Sequence, residues 1–289
     1  MKRAQAFISL ITALFLMIGG AEAQIKKTNK NNKSKYAKGM KTLKDSFKVL
    51  AEGANSEVEK PFVFVARDLE TYSALQKLTP DLPKQDEKFF ESNAVMAAFL
   101  GQRPTGGYGV VITNSYSKIE IYETKPPKGS MTIQVITSPY KVVVVPIENE
   151  KPLRDFSFDA AWQKEIQTYN ITSGEITESG GFAGRSRTMS IYGNVKTIRY
   201  SDYITLILDI NNSKGARLST HDTVSGVIQG DGSFKFTRID PGTLIQLPRP
   251  TLNAIGSLKD NSLTLTFDSN PTNVADGFEG KGKIEAVKK

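Results

Sequence analysis

Tyr203-Ile204-Thr205-Leu206-Ile207-Leu208-Asp209-Ile210 is the stretch on which the fold turns. Ile204, Leu206, Leu208 and Ile210 occupy alternate positions, with Tyr203, Thr205, Ile207 and Asp209 between them. Side chains on a strand point alternately to its two faces, so this period of two describes a β-strand with one buried face. The rhythm recurs downstream. Phe234 and Phe236 alternate after the turn signal Gly230-Asp231-Gly232, and Leu263, Leu265 and Phe267 alternate with Ser262, Thr264 and Thr266 after Asp260-Asn261. A last strand is expected near 283–287. About eight or nine short strands with regularly spaced turns predict an antiparallel β-barrel or β-sandwich over residues 155–289, and the pattern alone does not separate the two.

Upstream, ordered structure is expected to begin near Pro61, where Phe62-Val63-Phe64-Val65-Ala66 is short, apolar and β-prone. Asp68 suits the N-cap of a helix running to about Leu78, with Leu69, Tyr72 and Leu75 along one face. Val95 to Leu100 reads as a buried strand, and Tyr108 to Thr113 as another. Ile119 and Ile121 alternate with Glu120 and Tyr122, as do Met131, Ile133 and Val135 with their polar neighbours, so two further strands are expected there. Val142 to Val145 completes this part. The charged stretch 148–155, which contains Pro152, is a plausible boundary. The expectation is therefore a mainly β chain: a small α+β domain with one helix over 61–147, then an all-β domain over 155–289 that resumes with Phe156, Phe158 and Trp162.

The first 23 residues read as a secretory signal peptide. Lys2 and Arg3 precede an apolar run from Ala6 to Met17, and Ala21-Glu22-Ala23 fits a cleavage site. The remainder is then expected to be exported, to the periplasm or the cell exterior. Residues 24–60 follow as a lysine-rich, flexible segment. Nine lysines between residues 24 and 48 face Asp45 alone, so most of the chain's formal charge of +8 sits there and the body from Val49 onward carries −1. Basicity confined to a lysine tail without arginine and stacking aromatics argues against nucleic-acid binding. It allows a weak attraction to an anionic surface, screened beyond ~10 Å at ordinary salt.

Few residues are available for bond-breaking chemistry. The chain has no Cys and one His, which excludes disulfides, thiolate metal sites, a Cys nucleophile and multi-His metal sites. No catalytic, cofactor-binding or metal-binding residues are assigned. His221-Asp222 is the one base-and-orienter pair, but neighbours on a strand face opposite ways, and Ser219, Thr220 and Thr223 give the surroundings the look of a polar loop. No nucleophile elbow and no phosphate-binding loop occur.

Gly101-Gln102-Arg103-Pro104-Thr105-Gly106-Gly107-Tyr108 is denser in special residues than a turn requires. Its glycines and Pro104 fix an unusual backbone path, Arg103 is a fork-shaped donor, and Gly106-Gly107 bares backbone N–H groups that could meet a carboxylate or a partner's main chain. The plainer reading is a tight strand-to-strand turn in which Arg103 pairs locally.

With this loop, the preceding Val95 to Leu100, and the later Ser138-Pro139-Tyr140 stepping into Val142 to Val145, residues 61–146 resemble the C-terminal domain of the PrcB family. The resemblance departs in the helix, where an aromatic, often Trp, is expected and Tyr72 stands. It implies a non-catalytic accessory protein, since the family takes its name from a subunit that stabilises a cell-surface protease complex. The candidate partner-binding residues are Gly101, Arg103, Pro104, Thr105, Gly106, Gly107, Tyr108, Ser138, Pro139 and Tyr140. A protein partner is expected, and no cofactor. The alternative is a small-molecule carrier of lipocalin-like type, with a barrel lumen lined by Leu206, Leu208, Phe234, Phe236, Leu265 and Phe267. A third reading, a hydrolase using a Ser and His221, requires the two side by side in a cleft.

Overall fold

The computed structural model describes residues 47–115, 118–147, 156–180, 185–213, 219–239, 252–269 and 279–289. Residues 1–23, read as a signal peptide, and most of the lysine-rich stretch lie outside them, as does the expected boundary at 148–155. The first part holds β1 (Lys48–Gly53), β2 (Phe62–Ala66), helix α1 (Leu69–Leu78), a 3₁₀ turn at Glu87–Glu91, β3 (Asn93–Phe99), β4 (Gly109–Ser115), β5 (Lys118–Thr124), β6 (Tyr140–Pro146) and β7 (Phe156–Phe158). Then come a helical turn, Ala160–Gln163, and eight strands: β8 (Gln167–Gly180), β9 (Arg185–Tyr200), β10 (Tyr203–Asn212), β11 (Ser219–Val227), β12 (Ser233–Ile239), β13 (Leu252–Lys259), β14 (Ser262–Ser269) and β15 (Glu279–Lys288).

Helix α1 forms for the reasons its sequence states. The Asp68 carboxylate accepts from Thr71 N–H at 2.7 Å and the Thr71 hydroxyl returns to the cap, a reciprocal box that satisfies the first turn's free donors. Its buried face, Tyr72, Leu75 and Leu78, packs with Phe62, Phe64 and Phe90. Strands β1, β6, β3 and β2 form one sheet in that order, and β4, β5 and β7 a second. Continuous apolar runs in β2 and β3 are buried throughout, as expected for strands covered on both faces.

Strands β8 to β15 make a single antiparallel sheet, ordered β11-β10-β9-β8-β15-β14-β13-β12, that curls into a nearly closed barrel. This settles barrel against sandwich. The alternation read at Ile204, Leu206, Leu208 and Ile210 points these side chains into the barrel core, with Val224, Phe234, Phe236, Leu265 and Phe267. Phe234 lies directly across from Gly256, and a Cβ on that glycine would sit 1.8 Å from the ring. Phe236 stands over Gly226, whose own Cβ would come within 2.6 Å of the Lys235 carbonyl. Glycines at these two places let aromatic rings lie on backbone inside the barrel, and the two rings are 5.0 Å apart. The six residues expected to line a lumen are all buried in this one packed cluster.

Four expectations are corrected. Ordered structure starts before Pro61: β1 falls inside the stretch read as a flexible spacer and pairs along β6, from Lys48 opposite Val144 to Gly53 opposite Tyr140. Its lysine-rich flank masked a strand whose own residues, Val49 to Ala51, are apolar. Trp162, Phe156 and Phe158 belong with the first part. Trp162 is fully buried against Val63, Met96 and Val143 and donates its indole N–H to Phe62 O at 3.3 Å, while β7 adds in parallel to β5. Ser219 to Thr223, read as a polar loop, is the start of β11, where Asp209 lies opposite His221 and Leu208 opposite Asp222. Asp222 and Thr223 there are buried by neighbouring structure. Finally, Met131 to Val135 joins no ladder, although its alternation is that of a strand.

The core does not divide at the expected boundary. Ile198 of β9 is buried in the cluster built on β2 and α1, and Tyr200, Tyr203 and Val227 pack against it. Ser46–Lys289 form one compact unit.

Candidate functional site

The loop between β3 and β4 is held on three sides. Gly101 has φ +74° and passes so close to another chain segment that a Cβ would lie 2.7 Å from Glu59 O, a path only glycine follows. Gln102 N–H donates to that same carbonyl at 3.0 Å. Leu100 N–H donates to Pro139 O at 2.8 Å. Arg103 exchanges both backbone hydrogen bonds with Thr137, at 2.7 and 3.0 Å, and Thr137 Oγ1 donates to Thr105 O at 3.0 Å. The two pieces of the motif, far apart in sequence, are therefore one construction.

Arg103 pairs locally. Its Nε donates to Glu123 Oε1 at 2.6 Å, Nη1 donates to Gln102 O at 2.9 Å, and the guanidinium carbon stands 6.0 Å from the Tyr108 ring centre. Glu123 is mostly buried, and its own N–H is fixed by Asp159 Oδ2 at 2.7 Å. Asp159 also caps the helical turn that carries Trp162, accepting from Ala161 N–H at 2.9 Å. The loop is thus tied to β5 and to the segment after β7. Glu123 and Asp159 had no signal in the sequence: they lie 20 and 56 positions from Arg103, and only the fold brings them there.

The residues expected to bind a partner separate into two groups. Ser138 and Pro139 are buried, and Ser138 N–H is taken by Ala54 O at 2.7 Å. Tyr140 stacks on Phe99, 6.1 Å between ring centres, and covers Gly53. These three seat the loop from below. Gly106 N–H, expected to be open, donates to Ile133 O at 2.9 Å. Gly107 has φ +87° and packs against Pro126. Gln102, Pro104 and Gly107 face solvent, with Arg103, Thr105 and Tyr108 half-buried between them. The loop presents a rigid, mostly uncharged ridge to solvent.

Beside the ridge the segment from Met131 to Ile136 exposes four apolar side chains. The alternation there was legible, but its exposure was not, because periodicity does not say whether a second layer covers the strand.

Among the described residues no three of His, Cys, Asp and Glu come together as a metal site, and no helix is long and apolar enough to cross a membrane. Asp222 is buried and ion-paired with Arg67. The His221 side chain lies outside the described residues. A cleft of about 540 Å³ at the β13–β14 hairpin is lined by Ser257, Lys259, Asp260, Asn261, Ser262, Thr264 and Val287. Thr264 alternates with the core residues Leu263 and Leu265, which puts the cleft on the barrel's outer wall rather than in its lumen.

Residues 94–146 match the family described as PrcB C-terminal. The match begins within β3 and ends with β6, so it contains the whole loop, the Met131–Ile136 segment and the Ser138-Pro139-Tyr140 seat. It leaves out β1, β2, α1 and the barrel, and spans less than a fifth of the chain. No curated protein matches the chain.

Proposed function

We infer that this chain is an exported, non-catalytic accessory protein that docks onto a protein partner through the solvent face of the Gly101–Tyr108 loop. One observation carries the reading. The segment that matches the PrcB C-terminal family is also the segment in which buried hydrogen bonds, an ion pair and two positive-φ glycines hold an exposed ridge in a fixed shape. A surface fixed before binding loses little conformational freedom when it docks, which favours recognition by shape. The family name supports a protein complex, such as a cell-surface protease, as the assembly joined. The barrel then serves as the scaffold on which the first part is mounted.

The test uses the full chain, tagged, in its own cells. Cross-linking and purification recover the partner, and Gln102→Ala, an outward-facing change that keeps this residue's backbone ties, is compared with the wild type. Recovery of that partner should fall at least tenfold. Undiminished recovery would show that docking uses another face, and hydrolysis of a substrate by the purified chain would overturn the accessory reading itself.

A further inference from the structure

Residues 54–60 run from the end of β1 toward the start of β2 and form no helix or strand of their own. Three carbonyls of this strap are nonetheless taken. Ala54 O accepts Ser138 N–H at 2.7 Å and Glu59 O accepts Gln102 N–H at 3.0 Å, so these two hold the docking loop and its seat. Glu57 O, between them, accepts the Tyr200 hydroxyl at 2.7 Å, across 143 positions of sequence. Tyr200 ends β9, so the barrel supplies this hold. Val58 is fully buried in the cluster that contains Phe62 and Ile198. Gly101 passes so close to Glu59 and Lys60 that a shift of the strap is a shift of the loop's first residues. Packing aims the Tyr200 hydroxyl. Tyr200 pairs with Tyr203 across a turn in which Ser201 has φ +50°, and the two rings flank Phe62, at 6.1 and 6.5 Å between centres. Phe62 lies 6.4 Å from Phe99, which stacks on Tyr140 beneath the loop. A row of rings thus runs beside the strap, from the same hairpin to the same seat.

We propose that Tyr200 is a positioning residue for the Gly101–Tyr108 ridge: its hydroxyl fixes Glu57, Glu57 sets the strap, and the strap sets the loop. A segment without a ladder of its own keeps its shape only through such individual bonds, so the loss of one is felt along its length. The barrel is then a working part of the docking apparatus as well as its mount. The strap and Tyr200 both lie outside residues 94–146, so the ridge takes its shape in part from segments that the family match does not include. The proposal rests on the reading of the ridge as the docking surface, but the link from Tyr200 to the loop is measurable without a partner. Coupling along a chain of contacts is established by showing that a change at one end moves the other while equal changes elsewhere do not.

Tyr200→Phe removes the hydroxyl and keeps the ring on Phe62. Amide hydrogen exchange of the full chain, followed residue by residue by NMR, should quicken about fivefold at Gln102 and Ser138, the two N–H groups bonded to the strap. Exchange at Met96 in β3 and Leu206 in β10 should stay as in the wild type. Two controls separate positioning from general loosening. Tyr203→Phe takes a hydroxyl from the neighbouring ring on Phe62, and Thr205→Val takes one that donates to Val63 O elsewhere between barrel and β2. Neither should quicken Gln102 or Ser138. Unchanged exchange at both amides in Tyr200→Phe, or an equal rise in either control, would overturn the proposal. The partner that the wild type captures by cross-linking should be recovered less well by Tyr200→Phe. Should exchange quicken at Gln102 and Ser138 while recovery holds in both Tyr200→Phe and Gln102→Ala, the link from barrel to loop stands and the docking reading falls.

Discussion

Ser225 Oγ accepts the Val65 N–H at 2.8 Å, joining residues 160 positions apart. Ser225 shares a 2.6 Å hydrogen bond with Thr205 Oγ1, which donates to Val63 O at 2.5 Å. Two hydroxyls on the barrel wall thus complete the open edge of β2, whose other edge is paired with β3. An unpaired strand edge is a liability that a covering layer removes, and here the barrel is that layer. Ser225→Ala leaves the buried Val65 N–H without its partner and should destabilise by about 1–3 kcal/mol. Thr205→Val should act similarly, and the double variant should lose less than the two together because the hydroxyls bond each other. Urea unfolding measures all three. Strict additivity would mean that the relay does not work as a unit.

Arg67 and Asp222 form a second bond between the same parts, an ion pair with both side chains buried. Thr223 N–H also donates to Asp222 Oδ1, at 2.8 Å. Removing one member of such a pair strands a charge, so Arg67→Met or Asp222→Asn should each lower stability by about 3–5 kcal/mol. Replacing both with apolar residues should recover most of it. A double replacement as damaging as either single one would show that the pair stabilises the fold through its charges and not merely by mutual neutralisation.

Residues 61–147 and 155–289 look separate in the sequence because patterning reports faces, not what covers them. One face of β10 was legible: Ile204, Leu206, Leu208 and Ile210 point where the alternation puts them. Its opposite face was not, since Thr205 is completely buried and reads as solvent-facing. Thr223 and Ser225 mislead in the same way. The loop motif was visible through its glycines, proline and arginine, yet Glu123 and Asp159, which hold it, sit on other elements. Trp162 was assigned to the wrong part because its neighbour in space, Phe62, is 100 positions away.

The Phe234 ring rests on Gly256 with no room for a methyl group. Gly256→Ala should therefore displace the ring and destabilise by about 1–3 kcal/mol, the range for overpacked cores. Phe234→Ala should lose about 3–5 kcal/mol by opening a void, and Phe234→Ala with Gly256→Ala should do better than Phe234→Ala alone, since the added methyl enters that void. Thermal unfolding of the three variants checks the ordering. An unchanged midpoint for Gly256→Ala would mean that the wall yields at this point.

Alkaline pH should weaken the fold. Burial raises the pKa of Tyr72 above the usual tyrosine value, and of Tyr169 and Tyr203 as well, with Asp202 adding to the rise at Tyr203. The folded state therefore keeps these phenols neutral while the unfolded chain ionises near 10. Their contribution is complete below about pH 10 and is lost as pH climbs from there toward the elevated folded values. Urea midpoints should stay level to about pH 9 and fall above pH 10, less steeply in Tyr203→Phe. A midpoint unchanged to pH 11 would contradict the shifts.

Arg103 answers whether the loop's frame rests on one contact. Its guanidinium is the closest cation to the nearly buried Glu123, with the exposed Lys125 ammonium at 3.5 Å. Arg103→Ala leaves that carboxylate poorly compensated and unties the loop from β5, while the Thr137 bridge, made by backbone, persists. The loss should be about 1–3 kcal/mol, together with faster proteolytic cleavage between 101 and 108. Arg103→Lys restores a charge without the fork and should fall between. Arg103→Ala with Glu123→Gln removes the stranded charge, so it should regain stability yet stay open to protease, because the tie to β5 is still missing. Should the double variant resist cleavage as the wild type does, the backbone bridge and the glycines suffice, and the ion pair serves stability alone.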